Sequence, residues 1–261
     1  MIVLQKINVH FGKGTAAFRI ALNKLDLTIQ EGEFLTVIGS NGAGKSTLLN
    51  AIAGEVIPDS GQIRIDDEIV TQQNTSLRAQ HVARVFQDPV AGTCAQLTIA
   101  ENLALALRRG KNRALKQAVG NEERSLFKEL LKPLKLGLEN RLDTLMAMLS
   151  GGQRQAVSLL MATLSPLKIL LLDEHTAALD PKTSKFVMDL TNRIVKEKKL
   201  TTLMVTHSLS QALQYGSRTI MLHEGQLIYD VSGEERAGLT PQDLMRQFGD
   251  TVDNDRLLLN T

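Results

Sequence analysis

The residues Gly39-Ser40-Asn41-Gly42-Ala43-Gly44-Lys45-Ser46 place glycines, a lysine and a hydroxyl at the spacing G-x-x-x-x-G-K-[ST]. Glycines let backbone N–H groups close around phosphate oxygens, and a helix starting at the lysine adds a favourable dipole. In such a loop Lys45 reaches the β- and γ-phosphates of a nucleotide and Ser46 ligates Mg²⁺. A second constellation, Leu170-Leu171-Leu172-Asp173-Glu174, is an apolar run ending in two carboxylates. It reads as a buried strand whose C-terminal end opens at the ligand crevice of an α/β sheet, with Asp173 suited to a Mg²⁺ shell and Glu174 to polarising a water. Alone, two acids after a strand read as a solvated loop; the phosphate-binding loop upstream reverses that. A third, Leu149-Ser150-Gly151-Gly152-Gln153, reads as another anion-binding helix start, with Ser150 as the cap and two glycines allowing close backbone approach.

The elements around these residues supply the context they need. Ile2, Leu4, Ile7 and Val9, then Leu25, Leu27 and Ile29, predict short antiparallel strands. The run Phe34 to Ile38 predicts a buried strand, followed by a helix from Lys45 to Ala53 that Gly54 and Pro58 close. A hairpin around Asp66-Asp67 and a strand from Val82 to Phe86 come next. From Thr98 to Leu149 the pattern turns helical, opening on the capping box Thr98-Ile99-Ala100-Glu101, and this marks a helical insertion. Parallel α/β alternation then returns: a helix from Gln153, a strand at 168–172, a helix at 182–196, a strand at 201–205 and a helix at 209–215. A hairpin through Gly225 and a short helix capped by Thr240, with Pro241 in its first turn, close the chain.

Composition narrows the function classes. The 261 residues allow one large α/β domain, and 43% hydrophobic with 22% charged residues is ordinary globular content. Apolar runs such as Ile169 to Leu172 fall far short of the roughly 18 to 20 residues a bilayer demands. The opening Met1-Ile2-Val3-Leu4-Gln5-Lys6 lacks a cationic signal start, so a cytoplasmic protein is expected. One cysteine, Cys94, permits neither an internal disulfide nor a zinc cluster, and reads as a small buried side chain. The histidines His10, His81, His175 and His223 have no metal-ligand spacing. A net charge of +2, 3% aromatics and no Trp argue against a nucleic-acid surface.

With its three motifs in this order, the chain resembles the ATP-binding subunit of an ATP-binding cassette (ABC) transporter, from about Phe11 to Leu227. The resemblance implies an α/β fold: a P-loop NTPase core with a mixed sheet, an N-terminal antiparallel β subdomain and a helical insertion subdomain. These form a single domain over 1–261, with the core at 1–97 and 151–230, the helical subdomain at 98–150 and a short tail at 231–261. It implies that Gly39, Ser40, Asn41, Gly42, Ala43, Gly44, Lys45, Ser46 and Thr47 bind ATP, and that Phe11 stacks on adenine, with Phe18 a nearby competitor. Gln87 would contact Mg²⁺ and the attacking water, sharing the metal with Ser46 and Asp173. Glu174, His207 and Gln87 form the implied catalytic set, His207 holding the γ-phosphate and orienting Glu174. Leu149, Ser150, Gly151, Gly152 and Gln153 would act as the signature on the partner's ATP, and Asp180, in Ala178-Leu179-Asp180, lies in the loop that crosses to the opposite subunit.

One departure stands out: His175 follows Glu174 where most family members carry Pro. With Gln87-Asp88-Pro89 and Thr98-Ile99-Ala100-Glu101-Asn102-Leu103, it resembles a bacterial importer branch, some of whose members serve tryptophan or tyrosine uptake. The resemblance further implies a homodimer that sandwiches ATP head to tail, closing on binding and opening on hydrolysis to ADP and phosphate. A separate integral membrane permease would dock on the segment from Gln87 to Leu103, served indirectly by an extracytoplasmic solute-binding protein. The chain would then sit peripherally on the inner face of the cell membrane, without nucleic acid. Two rivals remain. A soluble cassette ATPase of DNA repair or translation would carry coiled-coil or zinc insertions or a second cassette, and a small-molecule kinase would need no segment like 149–153.

Overall fold

Phe34 to Gly39 are all buried, the pattern of a strand covered on both faces. In the computed structural model, which describes residues 1–110 and 118–249, this strand is the third of ten. In chain order the elements are β1 (Ile2–Phe11), β2 (Arg19–Ile29), β3 (Phe34–Gly39), α1 (Lys45–Ala53), β4 (Ser60–Ile65), β5 (Glu68–Ile69), α2 (Thr75–Arg78), β6 (Val82–Val85), α3 (Ile99–Leu107), α4 (Asn121–Leu131), α5 (Gly151–Ala162), β7 (Ile169–Asp173), α6 (Pro181–Lys198), β8 (Thr202–Val205), α7 (Leu209–Gln214), β9 (Arg218–His223), β10 (Gln226–Ser232), α8 (Gly233–Ala237) and α9 (Pro241–Gly249). They fall into two compact units: residues 1–78 with 199–249, and residues 79–198.

The first unit holds an antiparallel sheet in the order β2-β1-β4-β5 and a mixed arrangement β10-β9-β3-β8. There β3 runs parallel to both β8 and β9, and the β9–β10 hairpin is antiparallel. The expected short N-terminal strands are in fact long, 10 and 11 residues. The reason lies in their bulges: the buried positions switch parity from Ile2 and Leu4 to Ile7 and Val9, and the register shifts between Leu4 and Ile7. Lys6 absorbs the extra residue at φ 48, so a period-two reading breaks where the strand does not.

Arg78 closes the end of α1. It is fully buried, and Nη1 donates to the carbonyls of Ile52 at 2.7 Å and Ala51 at 3.3 Å, in the last turn of α1. Nη2 donates to the Val70 carbonyl and, at 3.4 Å, to that of Gln73. Burial pushes its pKa down to about 10, so the guanidinium remains charged at neutral pH. The two helix-end carbonyls lie where intrahelical donors run out, and that of Ala51 accepts in addition from the Gly54 amide at 3.3 Å. Arg78→Ala should therefore cost about 3 kcal/mol or more, from the lost buried hydrogen bonds, above all to Ile52, plus a cavity, and Arg78→Lys should not restore it because a point donor lacks the planar fork. Urea denaturation measures this; a loss within the ordinary surface range would remove Arg78 as the clamp.

Farther along, Arg236 of α8 donates to the carbonyls of Ala212, Leu213 and Tyr215 at 2.7, 3.0 and 2.7 Å, closing the end of α7. Leu244 of α9 is buried against Ile38, Ala212 and Met221. Thr240 caps α9, its Oγ1 accepting from the Asp243 amide at 3.3 Å, as the sequence predicts. The helix α8 has no counterpart in the sequence reading.

In the second unit β6 and β7 pair in parallel, Val82 opposite Ile169 and Val85 opposite Leu172. The predicted capping box at Thr98 and Glu101 opens α3. The stretch after α4 is less helical than expected, with only three single 3₁₀ turns between Lys132 and Met148. Pro133 and the left-handed Lys135 (φ 57) and Gly137 (φ 70) explain the break. Residues 111–117 of the predicted helical segment lie outside the described residues. Cys94 is exposed rather than buried: its amide and carbonyl bond the side chain of the buried Asn102, leaving the thiol outward. No helix among the described residues is long and apolar enough to cross a membrane.

Candidate active site

The phosphate-binding loop lies in the first unit, at the C-terminal end of β3. Asn41, Gly42 and Ser46 are exposed, Ser40 and Thr47 half-buried, and Ala43, Gly44 and Lys45 buried. Gly44 is dictated by geometry: it has φ 104, and a Cβ there would sit 2.5 Å from the Ala21 carbonyl oxygen. The loop is clamped from the side as well, because the Gly225 amide donates to the Ala43 carbonyl at 3.0 Å. Lys45 Nζ donates to the carbonyls of Gly39 at 2.7 Å and Ser40 at 3.0 Å. The ammonium is thus held inside the loop, 6% exposed, beside the N-terminus of a nine-residue helix. That combination of a desolvated cation, backbone amides and a helix dipole is an anion site.

His207 is two residues beyond β8, exposed, in the same unit. Since Val205 pairs with Val37 in parallel register, His207 and the phosphate-binding loop leave the C-terminal ends of adjacent strands. The Ser208 hydroxyl accepts from the Gln211 amide at 3.2 Å and starts α7 directly after the histidine. Phe11 ends β1, and the Arg19 guanidinium covers its ring at 5.1 Å from the centroid. Phe18 is 52% exposed and stacks on His10 at 5.8 Å. Lys13 and His10 both bond Asp59 and hold its carboxyl down at a pKa of about 2.

The carboxylates and the signature lie in the second unit. Asp173 ends β7 and is half-buried, its Oδ2 accepting from Arg84 Nη2 at 2.5 Å. Arg84 in turn covers the Phe86 ring at 4.8 Å. Glu174, the next residue, takes a left-handed backbone at φ 45. His175 is buried, and burial pushes its pKa down to about 4, leaving a neutral imidazole at physiological pH. Gln87 is exposed just beyond β6, and buried Gln155 of α5 donates to the Phe86 carbonyl before it at 3.1 Å.

The helix α5 starts at Gly151, not at Gln153 as the sequence reading placed it, because both glycines join its first turn behind the Ser150 cap. Ser150 Oγ accepts from the Gln153 amide at 3.3 Å while Gln153 Oε1 accepts from the Ser150 amide at 3.2 Å. Leu149 is buried. A Cβ on Gly152 would strike Thr183 Cγ2 at 2.1 Å, and one on Gly151 would touch Leu179. The signature therefore packs on the loop containing Asp180, whose Oδ1 accepts from the Thr183 amide at 3.1 Å at the start of α6.

Sequence reasoning missed three partners: Arg84 beside Asp173, Thr191 beside His175, and Arg154. Arg154 donates to the carbonyls of Met146, Ala147 and Leu149 at 3.1, 3.1 and 3.3 Å, fixing the turn into Ser150. Arg84 alone gave a signal, a charge within an otherwise apolar strand. The donors named for a metal, a hydroxyl on Ser46, an amide on Gln87 and a carboxylate on Asp173, all offer oxygen, which suits Mg²⁺. No cluster of three or more His, Cys, Asp or Glu able to hold a metal occurs among the described residues.

Known proteins resemble this chain over most of its length. The ABC transporter family model matches residues 22–177. A tyrosine transport ATP-binding protein of Clostridioides difficile (strain R20291) is 47% identical over 248 residues, spanning 95% of this chain and 98% of that protein. The thiamine import ATP-binding protein ThiQ of Yersinia pseudotuberculosis is 38% identical over 205 residues, 78% of this chain and 82% of its own. Among solved structures, a dimeric bacterial ABC transporter cassette matches with a TM-score of 0.76 at 32% identity, covering 89% of this chain and 98% of the cassette. A post-hydrolysis dimer of that cassette, bound to ADP and Pi, matches with a TM-score of 0.75.

Proposed function

Because this chain belongs to the ABC transporter family, as an ATP-binding and ATP-hydrolysing subunit, we propose that it energises uptake of an aromatic amino acid of the tyrosine type through a separate membrane permease. The observation that carries this reading is the near-complete, 47% identical match to a tyrosine transport ATP-binding protein.

In this reading the core at 1–97 and 151–230 binds nucleotide, and the helical subdomain at 98–150 carries the signature turn. The loop Gly39 to Thr47 wraps the phosphates, and Lys45 exchanges the carbonyls of Gly39 and Ser40 for β- and γ-phosphate oxygens. Phe11 stacks on adenine. Ser46, Gln87 and Asp173 would hold Mg²⁺, which would supply charge neutralisation at the phosphates. Glu174 accepts a proton from the water whose oxygen attacks the γ-phosphorus, the bond to the β-phosphate oxygen breaks, and ADP leaves with that electron pair. His207 holds the γ-phosphate and orients Glu174. Ser150 to Gln153 of a second copy complete each site, and Asp180 crosses between the two.

The homodimer then works at the cytoplasmic face of a permease fed by an extracytoplasmic solute-binding protein. The segment from Gln87 to Leu103 supports docking there, since Val90 is 42% exposed and buried Asn102 fixes the loop's backbone. Its Nδ2 donates to the carbonyls of Cys94, Leu97 and Thr98 at 3.0, 3.2 and 2.9 Å. Val90→Asp or Leu97→Asp should release the permease from the solubilised complex while ATP binding by the chain is unchanged. Affinity purification from membranes tests the whole reading. Ribosomal or DNA-repair proteins in place of a multi-span permease would overturn it, and a permease without aromatic amino-acid uptake would discard the substrate alone.

A further inference from the structure

His175 follows Glu174 directly, yet its side chain is 2% exposed, and its Nε2 lies 3.0 Å from Thr191 Oγ1 on α6. The Thr191 hydroxyl has a single hydrogen, and it donates that hydrogen to the Val187 carbonyl one turn back, at 2.8 Å. The hydroxyl oxygen is therefore an acceptor, and His175 donates through Nε2–H. Thr191 is itself fully buried, on the same face of α6 as Val187, Met188, Ile194 and Val195. The bond ties the residue after Glu174 into the core of the second unit.

Glu174 needs such a tie. At φ 45 it occupies a left-handed conformation that a non-glycine residue keeps only where its surroundings over-determine it. On its N-terminal side the constraint is Asp173, the end of β7 and the partner of Arg84. On its C-terminal side there are the turn bond from the Ala177 amide to the Glu174 carbonyl at 2.9 Å and the His175 anchor. We propose that His175 is a positioning residue, whose hydrogen bond to Thr191 fixes the backbone at Glu174 and so aims its carboxylate at the attacking water. The inference rests on the reading of Glu174 as general base.

Thr191→Val removes the acceptor at nearly constant volume, and His175→Leu removes the donor. In the full-length protein each should lower kcat by about 10- to 100-fold, the range expected of a misplaced catalytic group, with KM for ATP unchanged. Each should also accumulate the ATP-bound dimer, seen by light scattering, as a mispositioned base would. His175→Gln, which keeps an N–H donor, should return kcat toward wild type. In a Glu174→Gln background Thr191→Val should cause no further loss, because the group it positions is already gone. Wild-type turnover in Thr191→Val, or a further loss in the Glu174→Gln background, overturns the inference even if His175→Leu does not fold. Wild-type turnover in Glu174→Gln alone overturns the general-base reading as well.

Discussion

Glu174→Gln is expected to bind Mg-ATP normally and to hydrolyse it about 10²- to 10⁴-fold more slowly, the loss typical of a missing general base. The substitution keeps the side chain's shape and hydrogen-bonding reach but replaces the basic oxygen that, in the proposed mechanism, takes the proton from the attacking water. Nothing in the phosphate-binding loop changes, since Lys45 keeps its place beside the Gly39 and Ser40 carbonyls. Binding and chemistry should therefore separate cleanly, and the variant should collect as an ATP-bound dimer if, as proposed, closure needs only ATP and reopening needs hydrolysis. Phosphate release and light scattering at saturating ATP measure the two halves. Near-wild-type turnover, or a variant that stays monomeric, would move the catalytic role to another residue.

The parts of this site that were legible in the sequence are those whose chemistry is contiguous. Gly39 to Ser46 must be consecutive because one turn of backbone has to wrap one phosphate group. Ser150 could be read as a cap, and Thr98 with Glu101 as a capping box, because such relations span only three residues. What escaped was whatever depends on register between elements. Arg84 meets Asp173 because β6 and β7 run parallel with Val85 opposite Leu172, a register no local pattern states. Thr191 meets His175 across the packing of α6. The long β1 and β2 were cut short because a bulge moves the buried positions from even to odd numbers. The stretch around Lys135 and Gly137 kept its leucines but lost its helix to two left-handed residues.

The signature glycines pack directly on the loop that precedes α6 and on its first turn, Gly151 against Leu179 and Gly152 against Thr183. That loop begins at Glu174 and His175, and Thr191 on α6 holds the other end of the His175 bond. The signature turn and the carboxylate end of β7 thus pack against the same loop and helix within one unit.

A mixed dimer of one chain carrying Lys45→Ala and one carrying Ser150→Arg is expected to retain about half of wild-type ATPase activity, while either homodimer has none. In a head-to-tail arrangement both lesions of the mixed dimer fall on one site, which leaves the other with an intact loop and an intact signature. Ser150 suits this role in trans. Its hydroxyl oxygen accepts from the Gln153 amide, which leaves the hydroxyl hydrogen to donate outward at the N-terminus of a twelve-residue helix. Arginine there removes the cap and places a long side chain where a γ-phosphate has to approach. The informative control has the same mutations in the other arrangement: a chain carrying both substitutions paired with a wild-type chain. Each of its sites then contains one lesion, and its activity should vanish. Equal activity in the two arrangements, with dimer assembly matched by light scattering, would rule out a signature that serves the opposite subunit.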